Sequence, residues 1–126
     1  MLELVAIAIG GALGAVVRSV ANNFISGFFS TDFPFGILIV NITGSFLMGI
    51  CFELLAEENL FGELPKQLLM VGFLGAFTTF STFSLQIFAL LESGRVLAAA
   101  LYILSSVLLS VIALASGIFM LRELNT

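Results

Sequence analysis

Residues 72–88, "GFLGAFTTFSTFSLQIF", place hydroxyl side chains, glycines and phenyl rings together inside a strongly apolar part of the chain. Threonine and phenylalanine are mediocre helix formers and glycine is worse, so this composition predicts an interrupted helix. Carbonyl groups exposed by an interruption are good cation ligands, and at membrane depth they occur only inside protein or beside a cavity. Phe80 and Phe83 share one helical face, and the positive edges of their rings can face an anion without trapping it. Thr79 and Thr82 form a neighbouring hydroxyl stripe, so the stretch predicts an ion site.

A second set of polar residues lies in two other apolar runs. Asn41 sits in the middle of "GILIVNITGSF", and its carboxamide can hydrogen-bond either to a neighbouring helix or to a passing solute. Tyr102, Ser106 and Ser110 follow one another at i, i+4 and i+8, on one helical face. A serine in such a run often bonds its own i−4 carbonyl group. Three hydroxyls in register also predict donors along a narrow hydrated path.

The charged residues narrow the class of solute. Arg18 lies inside the first apolar run, where a charge costs about 2.5–3.5 kcal/mol on insertion scales. Its long side chain either reaches the interface, attracts anions at a vestibule, or anchors broken backbone. Glu53, Glu57 and Glu92 all lie near the ends of apolar runs. The missing central carboxylate argues against proton-coupled cation transport and favours a small anion that accepts hydrogen bonds.

Catalysis finds little support in the chain. There is no histidine and one cysteine, Cys51. No glycine-rich nucleotide-binding motif occurs, and no nucleophile, base or metal cluster can be assembled. The sequence therefore predicts a protein that is not an enzyme.

The elements that must position these residues are membrane helices. Of 126 residues, 60% are hydrophobic and 10% charged, against about 25% charged in a soluble domain. The apolar runs are each long enough for a helix of about 30 Å, which crosses a bilayer. We therefore predict an all-α integral membrane protein, one transmembrane domain over residues 1–126. Its four predicted spans are roughly residues 4–27, 34–56, 67–91 and 96–121.

Pairs of small residues four positions apart predict close helix packing. Such pairs occur in the first three spans: Gly10 with Gly14, Ser45 with Gly49, and Gly72 with Ala76.

Orientation is normally read from lysine and arginine in the loops. Four spans place Lys66 and Arg122 on one membrane face and Arg95 on the other. This bias either fixes one orientation weakly or allows insertion both ways. Insertion both ways would make an antiparallel homodimer possible.

The segments "GGALGAVVR", "GILIVNITGSF" and "GFLGAFTTFSTFS" resemble the signatures of the CrcB (Fluc) fluoride channels, and the likeness covers essentially the whole chain. The resemblance implies a dual-topology, antiparallel homodimer of multi-pass subunits in a bacterial or archaeal cell (inner) membrane. It also implies passive export of fluoride that gives fluoride resistance. The implied partners are fluoride, membrane lipid and a second copy of the chain, with no nucleic acid.

The resemblance also assigns roles to residues. It implies a structural Na⁺ at the centre of the dimer interface, held by the backbone carbonyl groups of Gly75 and Thr78 from both subunits. Arg18 matches the arginine of the first span. The fluoride pore would be formed by Asn41, Phe80, Ser81, Thr82, Phe83, Tyr102, Ser106 and Ser110.

Three positions depart from the family pattern: Ile37 and Leu114 stand where threonine is common, and Gln86 where glutamate is common.

The sequence leaves two other functions open. A small multidrug-type proton-coupled transporter has four spans and this length, but it needs a carboxylate inside the first span, and only Glu3 lies near it. A non-transporting structural membrane protein would use the polar residues only to join helices.

Overall fold

The computed structural model describes residues 1–56 and 62–125. Residues 57–61, in the connector between the second and third spans, and residue 126 lie outside the described residues. The described part is helical and has no strands. Its four spans are long and apolar enough to cross a membrane, which confirms the predicted all-α membrane architecture.

The helices follow the apolar runs. Pro34 and Pro65 directly precede the second and third spans, where the missing N–H of proline costs no helical hydrogen bond. Gly94, with a φ of 79°, forms the turn before the last helix, a conformation that favours glycine. The helices are α1 (Leu2–Ser26), α2 (Phe35–Leu54), α3 (π-helical over Lys66–Leu74 and α-helical over Gly75–Phe77), α4 (Ser81–Glu92) and α5 (Val96–Leu124).

Helices α1 and α3 touch through backbone rather than side chains. A Cβ atom on Gly10 would overlap the carbonyl oxygen of Leu68 and lie 2.9 Å from the amide nitrogen of Phe73. One on Gly14 would overlap the carbonyl oxygen of Phe73. Small residues at these positions let the helices approach closely, as the spacing predicted.

Helices α2 and α5 meet in the same way. A Cβ atom on Gly49 would overlap the carbonyl oxygen of Leu114, and one on Gly117 would lie 3.1 Å from the amide nitrogen of Ile50. Both contacts hold the Asn41-bearing helix at a fixed distance from the serine-bearing helix.

The described residues form two apolar core clusters. One contains Val40, Leu74 and Phe77, and the other lies between α2, α4 and α5. Tyr102 is fully buried at its centre, and Ile37, one of the positions that depart from the family pattern, is 2% exposed. An apolar residue is therefore accommodated here by packing. The buried members of this cluster are Ile37, Leu38, Phe83, Leu90, Ala99 and Tyr102.

The third span changes backbone conformation near its middle. Helix α3 ends at Phe77, Thr78 is extended with φ −82° and ψ 155°, and α4 begins at Ser81. The residues between the two helices are those of the hydroxyl- and phenyl-rich stretch, whose low helix propensity agrees with this local geometry.

Candidate ion site in the third span

The main chain of Thr79 is held by a side chain from another helix. Its N–H donates to Oδ1 of Asn41 at 2.9 Å, and Nδ2 of Asn41 donates to its carbonyl oxygen at 3.1 Å. The two bonds use one donor and one acceptor of the carboxamide, so one N–H of Asn41 remains available.

Hydroxyl groups satisfy further backbone groups nearby. The hydroxyl of Thr79 accepts from the N–H of Thr82 at 3.2 Å and lies 3.4 Å from that of Ser81. The hydroxyl of Thr79 thus satisfies the N–H of Thr82, one of the N–H groups in the first turn of α4 that have no partner within the helix. The hydroxyl of Thr78 donates to the carbonyl oxygen of Leu74 at 3.0 Å. Side-chain hydroxyls thus bond to backbone groups on both sides of residues 78–80, where few water molecules are available inside a membrane.

Helix α1 contributes a charged group to the same segment. Nη1 of Arg18 donates to the carbonyl oxygen of Ala76 at 3.0 Å. Of the three roles open to Arg18 from the sequence, this contact is the one expected of an anchor for broken backbone.

These bonds redirect two N–H groups from the carbonyl groups that they would meet in a continuous helix. In an α-helix the N–H of residue i donates to the carbonyl of residue i−4. The N–H of Thr79 would then meet the carbonyl of Gly75, and the N–H of Thr82 that of Thr78, but both donate to side chains. The carbonyl oxygens of Gly75 and Thr78 are thus released from these helical bonds.

A cavity of about 300 Å³ opens beside the interruption. Its wall combines amide and hydroxyl groups with phenyl rings and aliphatic side chains, and no ionisable side chain belongs to it within the described ranges. The lining residues are Asn41, Gly44, Ser45, Met48, Thr78, Thr79, Phe80, Phe83, Ser106, Val107, Ser110, Val111 and Leu114.

The two phenyl rings of the site differ in exposure. Phe83 is 5% exposed, and its ring meets that of Tyr102 edge-on, with centroids 4.9 Å apart. Phe80 is 75% exposed, although its ring centroid lies only 5.4 Å from that of Phe83. Phe83 is therefore packed inside the chain, whereas most of the Phe80 side chain is exposed.

Ser106 and Ser110 of α5 line the cavity, but Tyr102 does not. Oγ of Ser106 is buried and has no hydrogen-bond partner among the described residues, and Ser110 lines the cavity one turn later. The hydroxyl of Tyr102 donates to Oε1 of Gln86 at 2.6 Å. Gln86 lines a second cavity of about 440 Å³ near the loop between α1 and α2. The structure thus separates Tyr102 from the serines with which it shares a helical face.

Ser81 and Thr82 occupy the first positions of α4 and are not among the lining residues of the cavity. Leu114, a departure from the family pattern, lines the cavity on α5.

The sequence did not identify Thr79 as the residue whose main chain binds Asn41. One feature of the sequence pointed to such a contact: an asparagine carboxamide inside an apolar span needs both a hydrogen-bond donor and an acceptor as partners.

Comparison with known proteins places this geometry in a family. Residues 5–118 match the family model described as "CrcB-like protein, Camphor Resistance (CrcB)". The chain is 45% identical over 123 residues to a fluoride-specific ion channel of Methylococcus capsulatus. The alignment covers 98% of this chain but 54% of the length of that relative. A protein of the same name from Magnetococcus marinus is 46% identical, in an alignment that covers 93% of this chain and 95% of the relative. Another, from Hahella chejuensis, is 47% identical, in an alignment that covers 95% of this chain and 94% of the relative.

Proposed function

Because the chain belongs to the CrcB family, we propose that it is a fluoride-selective ion channel, which lets cytoplasmic fluoride leave the cell passively and so confers fluoride resistance. The observation that carries the proposal is one cavity lined by an asparagine, two phenylalanines and three serines from three spans. The protein acts as a channel in a cell membrane and not as an enzyme, because passive flow of an ion through a pore breaks no covalent bond.

The cavity suits a small anion that accepts hydrogen bonds. Fluoride must exchange water for other donors, and the remaining N–H of Asn41 with the hydroxyls of Ser106 and Ser110 can supply them. The ring edges of Phe80 and Phe83 offer partial positive charge. Because these groups are neutral, they can hold fluoride weakly enough for it to leave, as conduction requires.

The working channel is proposed to be an antiparallel homodimer of subunits inserted in opposite orientations. Phe80 supports this, since a ring 75% exposed beside the cavity leaves room for a partner subunit to complete the pore. The near balance between Lys66 and Arg122 on one face and Arg95 on the other supports insertion both ways.

The released carbonyl groups of Gly75 and Thr78 fit a structural sodium ion, which we propose is shared between the two subunits. Sodium is a hard cation that prefers oxygen ligands, and unwound carbonyl groups hold it in membrane proteins. No group of three His, Cys, Asp or Glu side chains that could hold a metal occurs among the described residues. When bound, the ion would supply positive charge that fixes both interruptions.

The function is tested by fluoride efflux from liposomes that contain the purified protein, followed with a fluoride electrode and with chloride efflux in parallel. We expect rapid fluoride release while chloride is retained. If a verified dimer releases no fluoride, the glycines and hydroxyls serve helix packing alone.

The pore assignment is tested by substituting the rings. Phe80→Ile and Phe83→Ile remove the ring edges but stay apolar, so each should lower fluoride efflux by about tenfold or more, the factor that corresponds to about 1.4 kcal/mol. Phe88→Ile is the matched control, since Phe88 lies on the same helix outside the cavity lining. Unchanged efflux from the folded double variant would contradict the assignment.

A further inference from the structure

We infer that Asn41 is a positioning residue, which holds the third span in its interrupted form by binding the main chain of Thr79. The inference rests on the proposed function only where it concerns ions. Its evidence is the pair of hydrogen bonds that joins both ends of the carboxamide to one residue.

The first step is the geometry of that pair. The bond lengths of 2.9 Å and 3.1 Å are ordinary for N–H···O hydrogen bonds. Two bonds to the same main chain fix both the position and the rotation of Thr79, as the facing residues of a β-ladder do. Thr79 is itself 8% exposed, so few water molecules can replace Asn41 there.

The second step is competition with the helix. A carboxamide oxygen that accepts from the N–H of Thr79 takes that donor from the carbonyl of Gly75. The extended conformation of Thr78, with ψ 155°, turns the chain so that Thr79 can reach Asn41. Asn41 and the helical bond to Gly75 are therefore alternatives, and the structure holds the first.

The third step concerns the neighbours of Thr79. Phe80 directly follows it, so fixing the Thr79 main chain also fixes where the exposed ring starts. One asparagine thus sets the carbonyl of Gly75 on one side of the interruption and the ring of Phe80 on the other. A contact of its remaining N–H with the anion is a separate role, and the two can be separated by experiment.

The test is NMR spectroscopy of the isotope-labelled, detergent-solubilised protein in fluoride-free buffer. In Asn41→Leu, which keeps a similar volume without polar atoms, the backbone carbon resonances of Thr78 should move from extended toward helical values, or the Thr79 amide proton should exchange about tenfold faster. Asn41→Asp keeps an acceptor for the Thr79 N–H, so its Thr78 resonances should stay extended. Ser45→Ala, one turn along α2 in the same cavity wall, is the matched control and should change neither signal.

Unchanged Thr78 resonances and unchanged Thr79 exchange in folded Asn41→Leu would overturn the inference. So would an equal change in Ser45→Ala, because the effect would then not belong to Asn41. If Asn41→Leu does not fold, the wild-type protein decides: one of the two Asn41 side-chain amide protons should exchange slowly, and free exchange of both would overturn the inference. Since no readout uses fluoride, failure of the efflux experiment leaves this result standing, and the reverse also holds.

Discussion

Arg18 shows how one residue can be expensive in a membrane and still stabilise the protein. Its guanidinium donates to the carbonyl oxygen of Ala76, next to the interruption. A carbonyl group at membrane depth without a partner is costly, so Arg18 stabilises this part of the chain by donating to the Ala76 carbonyl oxygen. The sequence left three roles open for Arg18, one of them an anchor for backbone, but it did not identify Ala76, 58 residues away, as the residue that Arg18 binds.

Arg18→Met should lower the free energy of unfolding by about 1–3 kcal/mol, because it leaves the Ala76 carbonyl without its donor. Arg122→Met is the comparison, since Arg122 pairs with Glu53 at 3.1 Å where its side chain is 53% exposed. A surface pair of that kind contributes about 0–1 kcal/mol. Thermal unfolding of both variants in detergent measures the difference. An equal or larger loss in Arg122→Met would show that Arg18 does not support the interruption.

At the scale of the helices, the spacing of the glycines was informative about packing. Gly10 and Gly14 were predicted to pack against another helix from spacing alone, and the structure names α3 as that helix. The composition of residues 72–88 predicted a change of backbone there, because propensity is a local property. The bond between Thr79 and Asn41 spans 38 residues, and no local pattern contains it. Tyr102 shows the same limit, since helical spacing placed it with Ser106 while its hydroxyl turns to Gln86.

Gly10→Ala should destabilise the protein by about 1–3 kcal/mol, the usual cost of overpacking, because its Cβ would overlap the backbone of α3. Gly11→Ala is the matched control, since its Cβ would lie 3.9 Å from the carbonyl oxygen of Gly72, an ordinary contact. It should change stability by no more than about 0.5 kcal/mol. Unfolding temperatures in one detergent compare the two variants. Equal stability would mean that α1 and α3 do not approach as closely as described.

At the scale of the whole molecule, the four-span architecture could be predicted from hydropathy, because crossing a bilayer demands about 20 apolar residues. The partner of the outer surface could not be predicted in the same way. Phe80 is 75% exposed. Lipid and a second subunit are both apolar, so hydropathy does not distinguish which of them would cover its ring. The sequence feature that concerns the orientation of the whole chain is the weak bias of lysine and arginine between the two membrane faces.

Added charge should therefore separate the two proposed orientations. Asp32→Lys with Glu92→Lys adds positive charge to one face, and Glu3→Lys with Glu63→Lys adds it to the other. Each double variant alone should insert one way and transport little fluoride, while co-expression of both should restore transport. Cysteine labelling from each side of the membrane reports orientation. Full transport by either double variant alone would exclude the antiparallel dimer.

The interruption has one more consequence, which concerns peptide dipoles. Helix α3 ends at Phe77 and α4 begins at Ser81, so the carbonyl end of one helix and the amide end of the next meet near the middle of a 27-residue span. Each helix terminus carries roughly half an elementary charge, negative at the carbonyl end and positive at the amide end. The change of backbone conformation within this span thus places a negative and a positive helix pole side by side.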